Sequence, residues 1–251
     1  MRGRAIGLSV PRRMVIDFLH FARSVPTVPV QKRMSIAALA AARAACRDRP
    51  RWTAIFTKAF ALVAEEVPEL RRSYVKLPWP HLYEYPTSKA NIMIERDYRG
   101  ERALCPVSIK DPARQPLSAI GALLQRATTD PLETIKDFRR WRQIARLPRP
   151  LRRTLWWIGL NIGRQRGNFF GTFGVSVYSA LNAESLHPLS PLTALLTYGV
   201  MTNNGSLDVR IIYDHRVMDG ATVARALGRL EEILNSVILE EVRSLATLAG
   251  K

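Results

Sequence analysis

Between Leu207 and Val237 the chain changes its hydrophobic period, and that change dictates how its C-terminal part is built. Leu207, Val209, Ile211 and Tyr213 alternate with Asp208, Arg210 and Ile212, the two-residue period of a strand with one buried face. Further on, Val223, Leu227, Leu230, Leu234 and Val237 recur at helical spacing. The residues between, His215-Arg216-Val217-Met218-Asp219-Gly220, therefore form a loop from a strand into a helix. Such a loop, held by two rigid elements, is where catalytic side chains commonly sit. This one carries an imidazole, a carboxylate and a turn glycine.

The rest of the chain supplies the remaining layers. Residues 14–24 read as a helix with Val15, Phe18 and Leu19 on its apolar side, and Val25-Pro26-Thr27-Val28-Pro29-Val30 forces an extended path, since proline disfavours helix at the preceding residue. Helical patterns return at 35–47 and 53–66, the second closed by Pro68. Segment 71–88, with Pro78, Pro80, Pro86, Trp79, Tyr83 and Tyr85, reads as a loop with short strands. Strands at 90–97 and 103–109 are joined by the turn Tyr98-Arg99-Gly100-Glu101. A helix at 116–127 buries Leu117, Ile120, Leu123 and Leu124, and strands near 171–179 and 192–201 precede the final strand, loop and helix. Helices inserted between such strands predict an α/β sandwich in which helices cover one side of a mixed sheet.

A chain of 251 residues, 47% hydrophobic and 24% charged, can bury a sizeable core, and a single domain over residues 1–251 is expected. No apolar run reaches the roughly 18 residues of a spanning helix, and Met1-Arg2-Gly3-Arg4 leads into no apolar leader, so neither a membrane span nor a signal peptide is expected. Cys46 and Cys105 have no metal-ligand spacing and read as small buried apolar residues in a reducing cytoplasm. The net charge of +17 favours polyanionic partners, whether nucleic acid, anionic lipid or the phosphates of coenzyme A. It is concentrated in Arg139, Arg140, Arg142, Arg146, Arg149, Arg152, Arg153, Arg164 and Arg166, a stretch without Asp or Glu that also reads as a solvated face.

The string His-Arg-Val-Met-Asp-Gly, preceded by Asp214, resembles the active-site motif of the dihydrolipoamide acyltransferases, the catalytic subunits of 2-oxoacid dehydrogenase complexes. Chloramphenicol acetyltransferase shares that fold and a similar motif. Other segments match in order. Pro11-Arg12-Arg13-Met14-Val15-Ile16-Asp17 is similar to the family's opening Arg-rich helix, and Phe56-Thr57-Lys58-Ala59-Phe60 with Val67-Pro68-Glu69-Leu70 to its Lys-Ala helix and Pro-Glu-Leu end. Lys89-Ala90-Asn91-Ile92-Met93-Ile94, Pro106-Val107-Ser108-Ile109-Lys110-Asp111 and Gly171-Thr172-Phe173-Gly174-Val175-Ser176 are similar to three of its strands. The resemblance runs from about residue 5 to about residue 240.

It implies the chloramphenicol acetyltransferase-like fold, a two-layer sandwich with a mixed sheet covered by helices, assembled as a homotrimer or a multiple of trimers with active sites between subunits. It also implies acyl transfer between coenzyme A, or a carrier thiol, and a second acceptor. His215 would be the general base that removes the thiol proton, Ser176 the hydroxyl that meets the oxyanion, and Asp219 a support of the loop through an ion pair with Arg13, or with Arg12. Asp219 also reads simply as the N-cap of the following helix, Ser176 as an ordinary strand residue, and His215 as a structural histidine at a strand end. His20, His81 and His187 have no such context. The chain opens close to the catalytic part of the family, so no lipoyl domain and no covalently attached lipoate are expected. Departures from the pattern are Val177-Tyr178-Ser179 in place of Asn-x-Gly, Glu95-Arg96-Asp97-Tyr98 in place of an Asp-Thr turn, and a longer segment from Pro131 to Arg166.

Other functional classes remain compatible with the sequence: a catalytically silent oligomeric scaffold, and a basic membrane-binding or nucleic-acid-binding protein, the last without any recognised nucleic-acid motif. In the segment 147–166, Leu151, Leu155, Ile158 and Gly159 or Leu160 fall at helical spacing beside Trp156 and Trp157, with Arg149, Arg152 and Arg153 flanking. An amphipathic helix of that composition lies in a membrane interface, which would make a cytoplasmic protein peripheral at an anionic bilayer. A trimer contact or a cover over the substrate entrance is the other reading.

Overall fold

The structure, a computed structural model, describes residues 1–248. Its strands in chain order are β1 (Thr27–Ser35), β2 (Arg72–Val75), β3 (His81–Glu84), β4 (Lys89–Tyr98), β5 (Glu101–Lys110), β6 (Phe173–Val175), β7 (Ala194–Tyr198) and β8 (Ser206–Asp214). Six of them form one mixed sheet in the order β1-β8-β7-β6-β4-β5, while β2 and β3 make a separate hairpin. Strand β6 runs parallel to both β4 and β7, and the remaining pairs are antiparallel. The alternation in 207–213 is realised in β8, where Leu207, Val209, Ile211 and Tyr213 all enter the main core. The strands foreseen near 171–179 and 192–201 are shorter, three and five residues long. Gly171 opens β6 with φ +83°, and a Cβ there would stand 2.7 Å from the Lys89 carbonyl, so only glycine lets the chain enter beside β4.

Five helices cover one face: α2 (Ala37–Ala45), α3 (Trp52–Glu66), α4 (Leu117–Thr129), α8 (Gly220–Asn235) and α9 (Val237–Leu248). Helix α3 is apolar nearly all round, as befits a helix sunk between the sheet and other helices. Its Phe60 packs 4.6 Å from Phe173 of β6, and its Phe56 stacks at 4.1 Å on Tyr198 of β7. The one cation on its buried stretch, Lys58, is matched at 2.5 Å by Glu241 of α9, which also accepts the N–H of Leu117 at the start of α4. Helix α9 was not legible as a separate element: Val237, counted above with the final helical stripe, begins it and is exposed. Cys46 and Cys105 are free and buried, and burial pushes the Cys105 thiol up to about 11.

The opposite face is not bare, which corrects the expectation of helices on one side alone. Helix α1 (Val10–Ala22) starts earlier than the pattern at 14–24 suggested, because Ser9 caps it by accepting the Arg12 N–H. With α1 pack three helices from the Arg-rich segment, α5 (Lys136–Arg146), α6 (Arg149–Asn161) and α7 (Gly163–Phe170). Their shared core is Met14, Ala145, Trp156, Leu160, Phe170 and Leu192. Helix α5 meets the edge strand β5, where Asp137 accepts the Ser108 N–H at 2.8 Å and so satisfies a backbone donor that an edge leaves open. Helix α7 lies so close to the β2–β3 hairpin that a Cβ at Gly163 or Gly167 would stand 2.2 Å or 2.5 Å from the rings of Tyr83 or Tyr85.

Two arginines of this segment are interior groups and not part of a solvated face. Arg152 is buried against Asp17 of α1, itself fully enclosed, with Arg153 adding a second contact. Arg166 is buried too and donates to the carbonyls of Tyr74, Leu160 and Pro191. Burial lowers its pKa, with the charge of Arg216 in the same direction and those of Tyr85 and Asp214 opposing. The flanking role given to Arg152 in a membrane-facing helix is thereby overturned, and Trp156 likewise lies in the core. We expect Asp17→Ala to cost about 3–5 kcal/mol in urea unfolding, since it strands a buried guanidinium. Replacing the pair together, Asp17→Leu with Arg152→Met, should recover most of that loss. A loss below about 0.5 kcal/mol for the single variant would show that the pair does not hold α6 to α1.

Candidate active site

Strand β8 ends at Asp214, and the chain turns through residues 215–219 into α8. The turn is fixed from three sides. The His215 N–H donates to the Pro26 carbonyl at 3.0 Å, just before β1, and the Asp214 N–H to the Thr193 carbonyl at 2.8 Å. The Asp214 carboxylate, fully buried, accepts the Arg216 backbone N–H at 3.1 Å and the guanidinium through Nε at 2.9 Å and a terminal nitrogen at 2.7 Å. The guanidinium carbon then sits 4.5 Å from the centre of the Tyr74 ring. These contacts leave the His215 imidazole free at the surface, about half exposed at 49%, with its ring 5.5 Å from Tyr213 and Nδ1 3.7 Å from an Asp219 oxygen. A base at the mouth of a rigid loop, with a carboxylate beside its inner nitrogen, can take a proton at Nε2 from a ligand arriving from outside the chain.

Asp219 occupies the N-cap position of α8 in an extended conformation, but its side chain makes no capping hydrogen bond and is 83% exposed. The cap reading of its carboxylate therefore fails. Nor does one chain bring Arg13 to it: Arg13 Nε donates to the Leu8 carbonyl at 3.1 Å, and the Arg12 backbone is engaged by Ser9. The anchoring ion pair of this loop is the local one between Asp214 and Arg216. Its signal in the sequence is the Asp-x-Arg that brackets His215, two residues apart and so on one side of a strand end. His187 is also brought to this end of the sheet, since its Nε2 lies 2.8 Å from the hydroxyl of Thr27, the register partner of Asp214.

Ser176 follows β6, its N–H donating to the Leu196 carbonyl at 3.1 Å. Phe173 and Val175 point into the main core, so Gly174 and Ser176 point to the other face. There they line a cleft of about 220 Å³ with Val15, Phe18 and Leu19 of α1 and with Leu195 of β7. The cleft is mostly apolar, with Ser176, Tyr178, Ser190 and Asn91 as its polar members, and a hydroxyl on such a wall can donate to an oxygen that gains charge where water is scarce.

Register decides whether His215 and Ser176 can meet. Ala194 of β7 pairs with both Phe173 of β6 and Tyr213 of β8, and β8 runs opposite to the other two. His215 therefore lies at the level of Gly171, and Ser176 five residues further along, a separation of about 17 Å along the strands and two strand spacings across, roughly 10 Å. Within one chain His215 is thus at one end of the sheet and Ser176 near its middle, level with Arg210 of β8, roughly 20 Å away.

No protein-family model matches the sequence, and no curated protein matches it. Solved structures do match. The catalytic-mechanism structure of Azotobacter vinelandii dihydrolipoamide acetyltransferase superposes with a TM-score of 0.68 at 17% identity, covering 95% of this chain and 94% of that one. The cubic core of the pyruvate dehydrogenase multienzyme complex gives 0.64 at 18% identity, covering 94% and 95%. A chloramphenicol acetyltransferase gives 0.51 at 14% identity, covering 90% and 98%. The chain thus has the chloramphenicol acetyltransferase-like fold of the dihydrolipoamide acetyltransferase cores, along nearly its whole length.

The Asp214 anchor generates its own test. Asp214→Asn keeps the shape but turns an NH2 donor toward Arg216, and we expect a loss of about 1–3 kcal/mol on unfolding, with faster hydrogen exchange at the His215 amide. Unchanged exchange at that amide would mean that Pro26 alone holds the loop.

Proposed function

We propose that this chain is an acyltransferase that moves an acyl group between coenzyme A, or a carrier thiol, and a second acceptor. The observation that carries the reading is His215 held at the end of β8, with Asp219 four residues on, in this particular fold. In the Azotobacter vinelandii enzyme, a serine, and a histidine and an asparagine four residues apart, were investigated for their role in the catalytic mechanism. In our reading their counterparts here would be Ser176, His215 and Asp219, with a carboxylate in place of the amide.

In the forward direction His215 Nε2 takes the S–H proton of the acceptor thiol, and the thiolate attacks the thioester carbonyl of the donor. The carbonyl oxygen gains the negative charge, and the Ser176 hydroxyl donates to it. Collapse of the tetrahedral intermediate expels the donor thiolate, which recovers the proton from His215. Coenzyme A is a substrate in this scheme. Asp219, close to Nδ1, favours the imidazolium that exists between the two proton transfers.

The scheme needs a second chain, because register keeps His215 of one chain away from Ser176 of the same chain. A trimer-based assembly, like the core particle that this chain resembles, would supply His215 from one subunit and Ser176 from its neighbour.

We expect His215→Ala to lower turnover by roughly 100- to 10,000-fold and Ser176→Ala by about 100- to 1,000-fold, each with an unchanged melting temperature. Near-normal turnover of His215→Ala with every thiol acceptor tried would sink the assignment. Co-refolding the two inactive variants in equal amounts should restore roughly a quarter of wild-type activity, the fraction of interfaces with both groups intact. A fully active monomer at assay concentration would refute the shared site.

A further inference from the structure

Neither His215 nor Ser176 lines the cleft of about 490 Å³ that opens between α5, α6 and α7. Its size is that of a small-molecule site, roughly 300–1,000 Å³. Its apolar walls include Ile144, Leu155, Trp156, Ile158, Ile162 and Phe169, and Ser108, Asp137, Gln143 and Gln165 line it too. Of these, Leu155 and Ile158 continue a row that begins at Leu151 on one side of α6, Ile162 follows just past the end of that helix, and all four lie exposed. The row is an apolar surface left to water, a costly arrangement unless something occupies it. Trp156, nine-tenths buried in that wall, has an indole N–H without a hydrogen-bond partner.

The cleft lining carries one guanidinium, that of Arg140. Arg140 lies 3.5 Å over the Phe169 ring. Lys89 reaches the Asn168 carbonyl beside it, and burial lowers the pKa of this lysine, as do the charges of Lys110, Arg140 and Lys136, against the opposing pull of Asp137. Lys89, Lys110 and Lys136 stand outside the lining, and the carboxylate within it, Asp137, already accepts the Ser108 N–H. A mostly apolar cleft with one guanidinium in its lining is complementary to one class of molecule, a single hydrocarbon tail that ends in an anion.

We propose that the α5–α7 cleft binds a free long-chain acyl anion, with its tail along Leu155, Ile158 and Ile162 and its head at Arg140. The test is equilibrium binding, so it stands whether or not the chain transfers acyl groups. Octanoate, decanoate and dodecanoate, each below its micelle concentration, are titrated into the whole protein by calorimetry. One saturable site per chain is expected, tightening about fourfold per added methylene. Ile158→Glu should weaken dodecanoate at least tenfold. Arg140→Gln should weaken it about tenfold yet leave dodecanol, which lacks the charge, unchanged. The proposal is overturned by absence of saturable binding, by Ile158→Glu binding like the wild type, or by Ile158→Glu dissociating an oligomer, which would make the row a subunit contact. Binding to anionic vesicles without binding of monomeric dodecanoate would also overturn it, and would assign the row to a membrane surface.

Discussion

Two short pairings, β6 with β7 and β7 with β8, constrain everything that this molecule can do. They carry the core residues Phe173, Val175, Ala194, Leu196, Ile211 and Tyr213 on one face, so a slip of one residue in any of them would turn those side chains outward. The same register sets His215 at one end of the sheet and Ser176 near its middle. Stability and the placement of these two side chains are thus decided by one set of hydrogen bonds, and burial of the core enforces their separation.

Around that frame the chain spends its charge in an unusual way. Arg152, Arg166 and Arg216 are held by Asp17, by main-chain carbonyls and by Asp214 respectively. A guanidinium presents its donors in a fixed planar fork and so can satisfy several carbonyls at once. That makes it a better interior clamp than lysine. Arg166 joins α7 to the β2–β3 hairpin and to the segment before β7, and it lies within the field of Asp214. The helices of the 131–170 segment are thereby tied to the ground beneath the His215 loop.

The strand, loop and helix from Leu207 to Asn235 were legible because two periods meet there and a single chain segment contains both. The two cysteines and the turn at Arg99-Gly100 were legible for similar local reasons. What failed was everything that depends on a partner distant in sequence. A run of arginines without acids looks solvated until Asp17, more than a hundred residues away, is packed against Arg152. The expected link from Asp219 to Arg13 rests on family pattern, whereas the chain anchors its loop with Asp214 and Arg216, two residues apart. The apolar side of α6 was visible as spacing, but which residues of that helix face inward was set by Trp156 stacking on Phe21, which no local pattern encodes.

Trp141 of α5 stands in the wall of both clefts, the one beside Ser176 and the one between α5, α6 and α7. Its ring meets Trp156 edge-on, with centres 5.7 Å apart. The two clefts thus share one side chain in their walls. Any molecule that favours one orientation of that indole changes the free energy of occupying the other cleft, and by linkage the effect is equal in both directions.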